Sequence, residues 1–178
     1  GGFPREIEIE VTTRHEADSP ERKITGIRGE KDIEVEEVKR ILDSFDECDD
    51  LLVTLGGYGD PLLHPHFEEV IQACGGVFGL HVRTDGLSLD EKKREILTSG
   101  GVDMVSMALD AASEEVYEKF KGHGGLEKVS ENTENLIRMV LERGEGPLVL
   151  PEFTRRGQGF DELDSFYRRW HRTAQWVV

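Results

Sequence analysis

Apolar and polar residues alternate from position 5 to 13, with Ile7, Ile9 and Val11 on one side and Glu6, Glu8 and Glu10 on the other. That period of two predicts a strand. Val35, Val38, Ile41, Leu42 and Phe45 then recur every three or four residues, which predicts an amphipathic helix with Asp32 as its N-cap. Leu51 to Leu55 is a continuous apolar run ending in Gly56-Gly57, the pattern of a parallel strand buried on both faces. A helix starting near Pro65 follows, with Phe67, Val70, Ile71 and Cys74 inward.

The pattern repeats. A strand is predicted over 78 to 84, and Ser88-Leu89-Asp90-Glu91 reads as a capping box opening a helix that stops at Gly100-Gly101. Asp103 to Leu109 makes a fourth strand, followed by a short helix from Ser113 to Phe120 and a longer one from Leu126 to Arg143. Pro147 to Phe153 is a fifth strand. Asp161 to Arg172 is a helix with Leu163, Phe166, Tyr167 and Trp170 inward, and Gln175 to Val178 begins a sixth strand. Such alternation favours a parallel sheet whose right-handed crossovers bring every strand C-terminus to one edge, where the following loops build any site.

Composition narrows the field. The chain has 178 residues, enough for one domain over 1–178 but short for a closed barrel. A net charge of −15, from 37 acidic and 22 basic residues, repels nucleic acid and anionic membranes. No apolar run reaches the roughly 20 residues of a membrane span, and Gly1-Gly2-Phe3-Pro4 has no signal-peptide character, so a cytoplasmic protein is expected. Gly1-Gly2 reads as a tag remnant and the apolar end at Trp176-Val177-Val178 as the edge of an excised domain, truncated at its C-terminus. Cys48 and Cys74, both placed in helical segments, lie in no CxxC or Cys/His cluster and are read as two unpaired thiols.

In order along the sheet edge, the post-strand loops are Arg14 to Arg22, Gly56-Gly57-Tyr58-Gly59-Asp60-Pro61, Thr84-Asp85-Gly86, Ala108-Leu109-Asp110 and Pro151-Glu152-Phe153-Thr154. The glycines allow positive φ or a close backbone approach, and Asp60 offers a carboxylate to a ligand amino group. Taken together these loops resemble the radical S-adenosylmethionine (radical SAM) superfamily, especially its peptide- and protein-modifying branch, from the first strand to the sixth. Tyr58-Gly59-Asp60 with Pro61-Leu62-Leu63-His64-Pro65 matches the family's amino-group-binding turn. Thr84-Asp85-Gly86 resembles its T-N-G, and Ala108-Leu109-Asp110 its S-L-D, with alanine in place of the serine that faces the cofactor. Lys119-Phe120-Lys121-Gly122 and Gly125 to Val129, with Asn132, resemble framework after the fourth strand.

The resemblance implies a partial, open TIM-like barrel of six βα units, here about five with a sixth strand. It implies S-adenosylmethionine at Gly57, Tyr58, Gly59, Asp60, Thr84, Asp85, Ala108, Asp110 and Glu152, and a peptide or protein partner. It also implies a [4Fe-4S] cluster held by CxxxCxxC, but the aligned residues are His15, Ser19 and Arg22, with Pro20 retained. Neither serine nor arginine replaces a thiolate, so the family's cluster is not supported and a pseudoenzyme is expected. Natural degeneration and redesign of the loop are equally open.

Blander readings stand beside these. His64 and His66, with Asp60 and His15, could hold a metal, but at a helix start their side chains diverge and a structural role is expected. Asp110 and Glu152 could serve as acid and base, though Asp110 is expected to cap the helix at Ser113. Arg155 and Arg156, in a linker-like stretch, read as solvated charge, and Phe166, Tyr167, Trp170 and Trp176 as core. Two alternatives to the cluster-free domain are a fragment or variant of an active radical SAM enzyme and a protein-interaction module. Free edges of an unfinished barrel point to a homodimer or a missing C-terminal domain.

Overall fold

The computed structural model describes residues 4–15, 29–45, 47–75, 79–154 and 161–174. Five strands, β1 (Glu6–Ile9), β2 (Leu52–Leu55), β3 (Gly79–Thr84), β4 (Met104–Ala108) and β5 (Leu148–Glu152), form one parallel sheet in the order β1-β2-β3-β4-β5. The connecting helices are α1 (Val35–Asp43), α2 (Phe67–Cys74), α3 (Glu91–Ser99), α4 (Glu114–Lys121) and α5 (Leu126–Arg143), and α6 (Leu163–Trp170) follows β5. The segment proposed as a sixth strand, 175–178, lies outside the described residues, as do Arg155, Arg156 and Trp176.

Because each strand pairs with the next, right-handed crossovers stack the helices on one face. On that face Val53, Leu55, Leu80, Val82, Val105 and Met107 are completely buried. Each contributes on the order of 1.5–3 kcal/mol of transfer free energy. Alternation sends their neighbours Glu6, Glu8, Gly79 and Arg83 to the other face, where they are exposed.

Several local expectations are overturned, each because a longer-range contact decides. Asp32 does not cap α1. Glu34 holds that position without a side-chain bond, while Asp32 receives the Thr12 hydroxyl at 2.7 Å and the Arg14 guanidinium at 2.8 and 2.9 Å. The helix expected at Pro65 starts at Phe67, after a 3-10 turn at Pro61–Leu63 whose N-cap is Asp60. Asp90, not Ser88, caps α3 by accepting the Lys93 amide at 2.8 Å. Replacing it by alanine (Asp90→Ala) is expected to cost about 1 kcal/mol in urea unfolding, and an unchanged midpoint would remove the cap from the account.

Cys48 lies beyond the end of α1, where its amide bonds the Phe45 carbonyl at 2.8 Å, and both cysteines are buried free thiols. In α6, Phe166 and Trp170 are buried but Tyr167 is 54% exposed, stacked on His171 with ring centroids 5.0 Å apart. Its four-residue spacing from Leu163 put it in the stripe, yet α6 turns Phe166 and Trp170 to the core and leaves Tyr167 outside.

Candidate functional site

Loop geometry after β2 begins with two glycines that only glycine can satisfy. Gly57 has φ +112°, and a Cβ on Gly59 would lie 1.9 Å from the Thr12 carbonyl oxygen and 2.6 Å from its carbon. The close approach lets the Asp60 amide donate to the Arg14 carbonyl at 3.0 Å, tying the second loop to the first. Glu10, at the end of β1, supports the turn by accepting the Tyr58 amide at 2.8 Å and the Gly59 amide at 3.3 Å.

Asp60 is buried and fully engaged. Its Oδ1 accepts the Leu62 amide at 2.9 Å, and its Oδ2 accepts the Thr84 hydroxyl at 2.7 Å and the Asp85 amide at 3.1 Å. Burial, and after it the Asp85 charge, holds its carboxyl well above the usual carboxylate range. The same clamp continues into the third loop. There the Thr84 hydroxyl accepts the Gly86 amide at 2.9 Å, and Asn132 donates to the Gly86 carbonyl at 2.8 Å.

Asp110 sits in the left-handed region at φ +61°, a conformation aspartate tolerates better than most residues. It does not cap α4; Ser113 does, accepting the Val116 amide at 3.4 Å. Instead the Asp110 carboxylate accepts Lys121 Nζ at 2.8 Å and the Thr154 amide at 2.8 Å, joining the fourth and fifth loops. Burial pushes its carboxyl up, but Lys121 and the Thr154 amide outweigh that and leave it below the usual range.

These loops enclose a cleft of about 280 Å³ at the strand ends. Of the residues singled out from the sequence, Gly57, Tyr58, Gly59, Asp60, Thr84 and Asp85 line it, joined by Ala108, Asp110 and His15. Glu152 does not; its carboxylate turns onto the open sheet face and pairs with Arg83 at 3.2 Å. Sequence reasoning missed Arg83, Lys121 and His123, and took Lys121 for framework. The period of β3 places Arg83 on the open face, so its approach to the cleft was available to a strand count. The cleft is therefore of mixed charge, with Asp60, Asp85 and Asp110 against Arg83 and Lys121.

The first loop is described as far as His15, and Ser19 and Arg22 lie outside the described residues. The donors expected of a family member are absent in kind. The chain has two cysteines, neither of them in this loop and both buried, and burial pushes the Cys74 thiol up to about 12. A [4Fe-4S] cluster needs thiolates, and the residues present do not fit one. His64 and His66 form no metal pair: His64 Nδ1 accepts the His66 amide at 3.1 Å, which leaves Nε2 to donate to the Ile33 carbonyl at 2.9 Å. His66 pairs with Glu69 at 2.9 Å.

A family model described as the Radical SAM superfamily matches residues 12–156. A "Probable GTP 3',8-cyclase" of Methanosarcina acetivorans is 31% identical over 109 residues, which is 60% of this chain and 31% of that protein. The chain thus spans about a third of that curated relative. Among solved structures, Streptococcus suis SuiB bound to precursor peptide SuiA matches with TM-score 0.68 and 16% identity, over 93% of this chain and 37% of that one. Native anSMEcpe with bound AdoMet and Kp18Cys peptide matches with TM-score 0.69 and 12% identity, over 97% of this chain and 49% of that one. At such identities the likeness is one of fold: an open α/β partial barrel.

Proposed function

The chain belongs to the radical SAM superfamily, and from that premise we propose that it is a cluster-free core domain whose strand-end cleft holds S-adenosylmethionine and whose macromolecular partner is a peptide. The observation that carries the reading is the convergence of the Gly57–Asp60 turn, Thr84-Asp85 and Asp110 on one cleft, in a chain with no cysteine in the first loop. A cleft of about 280 Å³ is close to the lower bound of roughly 300 Å³ for small-molecule sites. Its charges suit a ligand carrying an ammonium, a sulfonium and a carboxylate: Asp85 for the cations, Lys121 and Arg83 for the carboxylate, with Tyr58 and Phe120 as flat surface for a purine. The peptide part is supported by two structural neighbours that are peptide complexes. On this reading the domain binds and presents, and performs no reductive cleavage.

A second reading comes from the curated relative's name: this chain is part of a nucleotide-processing enzyme whose remaining length supplies what is missing. Anaerobic treatment with iron and sulfide tests the cluster-free reading. The chain as it stands is expected to form no visible iron-sulfur chromophore, whereas a His15→Cys/Ser19→Cys/Arg22→Cys variant is expected to form one. A chromophore in the unaltered chain would end the cluster-free reading.

A further inference from the structure

The chain leaves β1 through Thr12-Thr13-Arg14 and comes back toward α1 through Gly29 to Ile33, and these two legs of the first loop pair antiparallel, with Thr12 bridged to Asp32. Hydrogen bonds hold them in register. The Ile33 amide donates to the Val11 carbonyl at 2.9 Å, and the Thr13 amide to the Lys31 carbonyl at 2.9 Å. The Thr13 hydroxyl accepts the Lys31 amide at 2.8 Å and donates to the Gly29 carbonyl at 3.0 Å.

An ion pair then locks the legs together. The Arg14 guanidinium, on the outgoing leg, grips the Asp32 carboxylate, on the returning leg, through Nε at 2.9 Å and Nη2 at 2.8 Å. This two-pronged contact fixes direction as well as charge. Glu30 meets Nη1 at 3.3 Å, and the Thr12 hydroxyl donates to Asp32 at 2.7 Å while accepting the Arg14 amide at 3.1 Å. The Arg14 hydrogen bond, the largest influence, holds the Asp32 carboxyl below the usual carboxylate range. No cysteine stands between β1 and α1, so no thiolate-held cluster fixes these legs.

The second loop rests on both legs. The Asp60 amide donates to the Arg14 carbonyl at 3.0 Å, Gly59 packs against the Thr12 carbonyl, and His64 Nε2 donates to the Ile33 carbonyl at 2.9 Å. Arg14 and Asp32 do not line the cleft themselves, whereas Tyr58, Gly59 and Asp60 do. We propose that Arg14 and Asp32 are positioning residues for the cleft ligand, acting through the Arg14 carbonyl on the Tyr58–Asp60 turn; the inference rests on the S-adenosylmethionine reading above. A slip of one leg against the other carries the turn with it, because the turn is seated on backbone atoms rather than on side chains that could swing to compensate. Holding the turn in place before the ligand arrives lowers the ordering cost of binding.

The test compares three proteins: the unaltered chain, Asp32→Asn, which removes the charge but keeps an oxygen for the Thr12 hydroxyl, and Asp164→Asn, which breaks the exposed pair with Arg168 on α6. Thermal melts establish that each is folded at the measuring temperature. In calorimetry, Asp32→Asn is expected to weaken S-adenosylmethionine at least about fivefold and Asp164→Asn less than about twofold. A pair that only stabilises the fold lowers the melting temperature and leaves the affinity of the folded protein unchanged, and that result overturns the proposal. The Asp60 amide resonance gives a reading without ligand. It is expected to move in Asp32→Asn and not in Asp164→Asn, and equal positions in all three proteins overturn the proposal as well. If the unaltered chain binds no S-adenosylmethionine, the reading of the cleft falls, and the resonance alone decides whether the pair positions the turn.

Discussion

Replacing Gly59 by alanine (Gly59→Ala) is expected to destabilise the protein by about 3 kcal/mol or more. The new methyl would stand 1.9 Å from the Thr12 carbonyl oxygen and 2.8 Å from the Thr13 Cα, both backbone atoms that no rotamer change can move. Relief requires parting the first and second loops, which breaks the Asp60 amide to Arg14 carbonyl bond and the support from Glu10. For a chain of this size the melting temperature should fall by about 6–12 °C. A variant melting within about 2 °C of the parent would mean that the close approach is not a feature of the folded loop.

The second large effect lies at the opposite wall of the cleft. Lys121 and Asp110 are 15% and 11% exposed, so removing the ammonium in Lys121→Met leaves a buried carboxylate with only the Thr154 amide. The expected cost is about 3 kcal/mol at pH 7, read from urea unfolding. The sign of its pH dependence follows from the direction of the Asp110 shift. A carboxyl held below its ordinary value contributes stability that is present above the unfolded pKa, near 4, and lost as pH falls through the folded value. The difference between parent and variant should therefore shrink on acidification below about pH 4. A difference that stays constant there would mean Lys121 matters for packing alone.

Asp60 runs the other way. Its carboxyl is raised, so its contribution is fully present below the unfolded carboxylate pKa and declines as pH rises through the higher folded value. The two aspartates that bracket the cleft thus have opposite pH signs, and both are spent on joining loops. That arrangement makes the cleft a preformed rather than a collapsing one.

How much of this was legible in the sequence depends on the range of the deciding interaction. The strands were, since Leu52–Leu55 and Met104–Ala108 are apolar runs and burial on the helical face is a local periodic demand. Asp32 and Asp110 were not. Each sits where a local rule places a cap, and each is claimed by a cation brought in by the fold, from Arg14 and Lys121. Ser88 shows the same limit from the other side: its hydroxyl is buried without a partner while Asp90 caps α3.

The cleft was legible as a set of loops but not as a set of charges. Lys121, in the last turn of α4, looks like an ordinary dipole-compensating lysine and turns inward only because Asp110 is there. Glu152 was placed with the cofactor contacts on strand-end logic, yet the pleat sends it to the open face with Arg83. The missing thiols needed no structure, because two cysteines cannot supply three ligands.

Titration of the purified chain with S-adenosylmethionine by calorimetry is the decisive measurement, because only the contacts of the strand-end loops are available to hold the ligand. Saturable binding at one site is expected, with a dissociation constant on the order of 10 μM, weakened by Lys121→Met. No heat at millimolar ligand, with the parent folded, would contradict it.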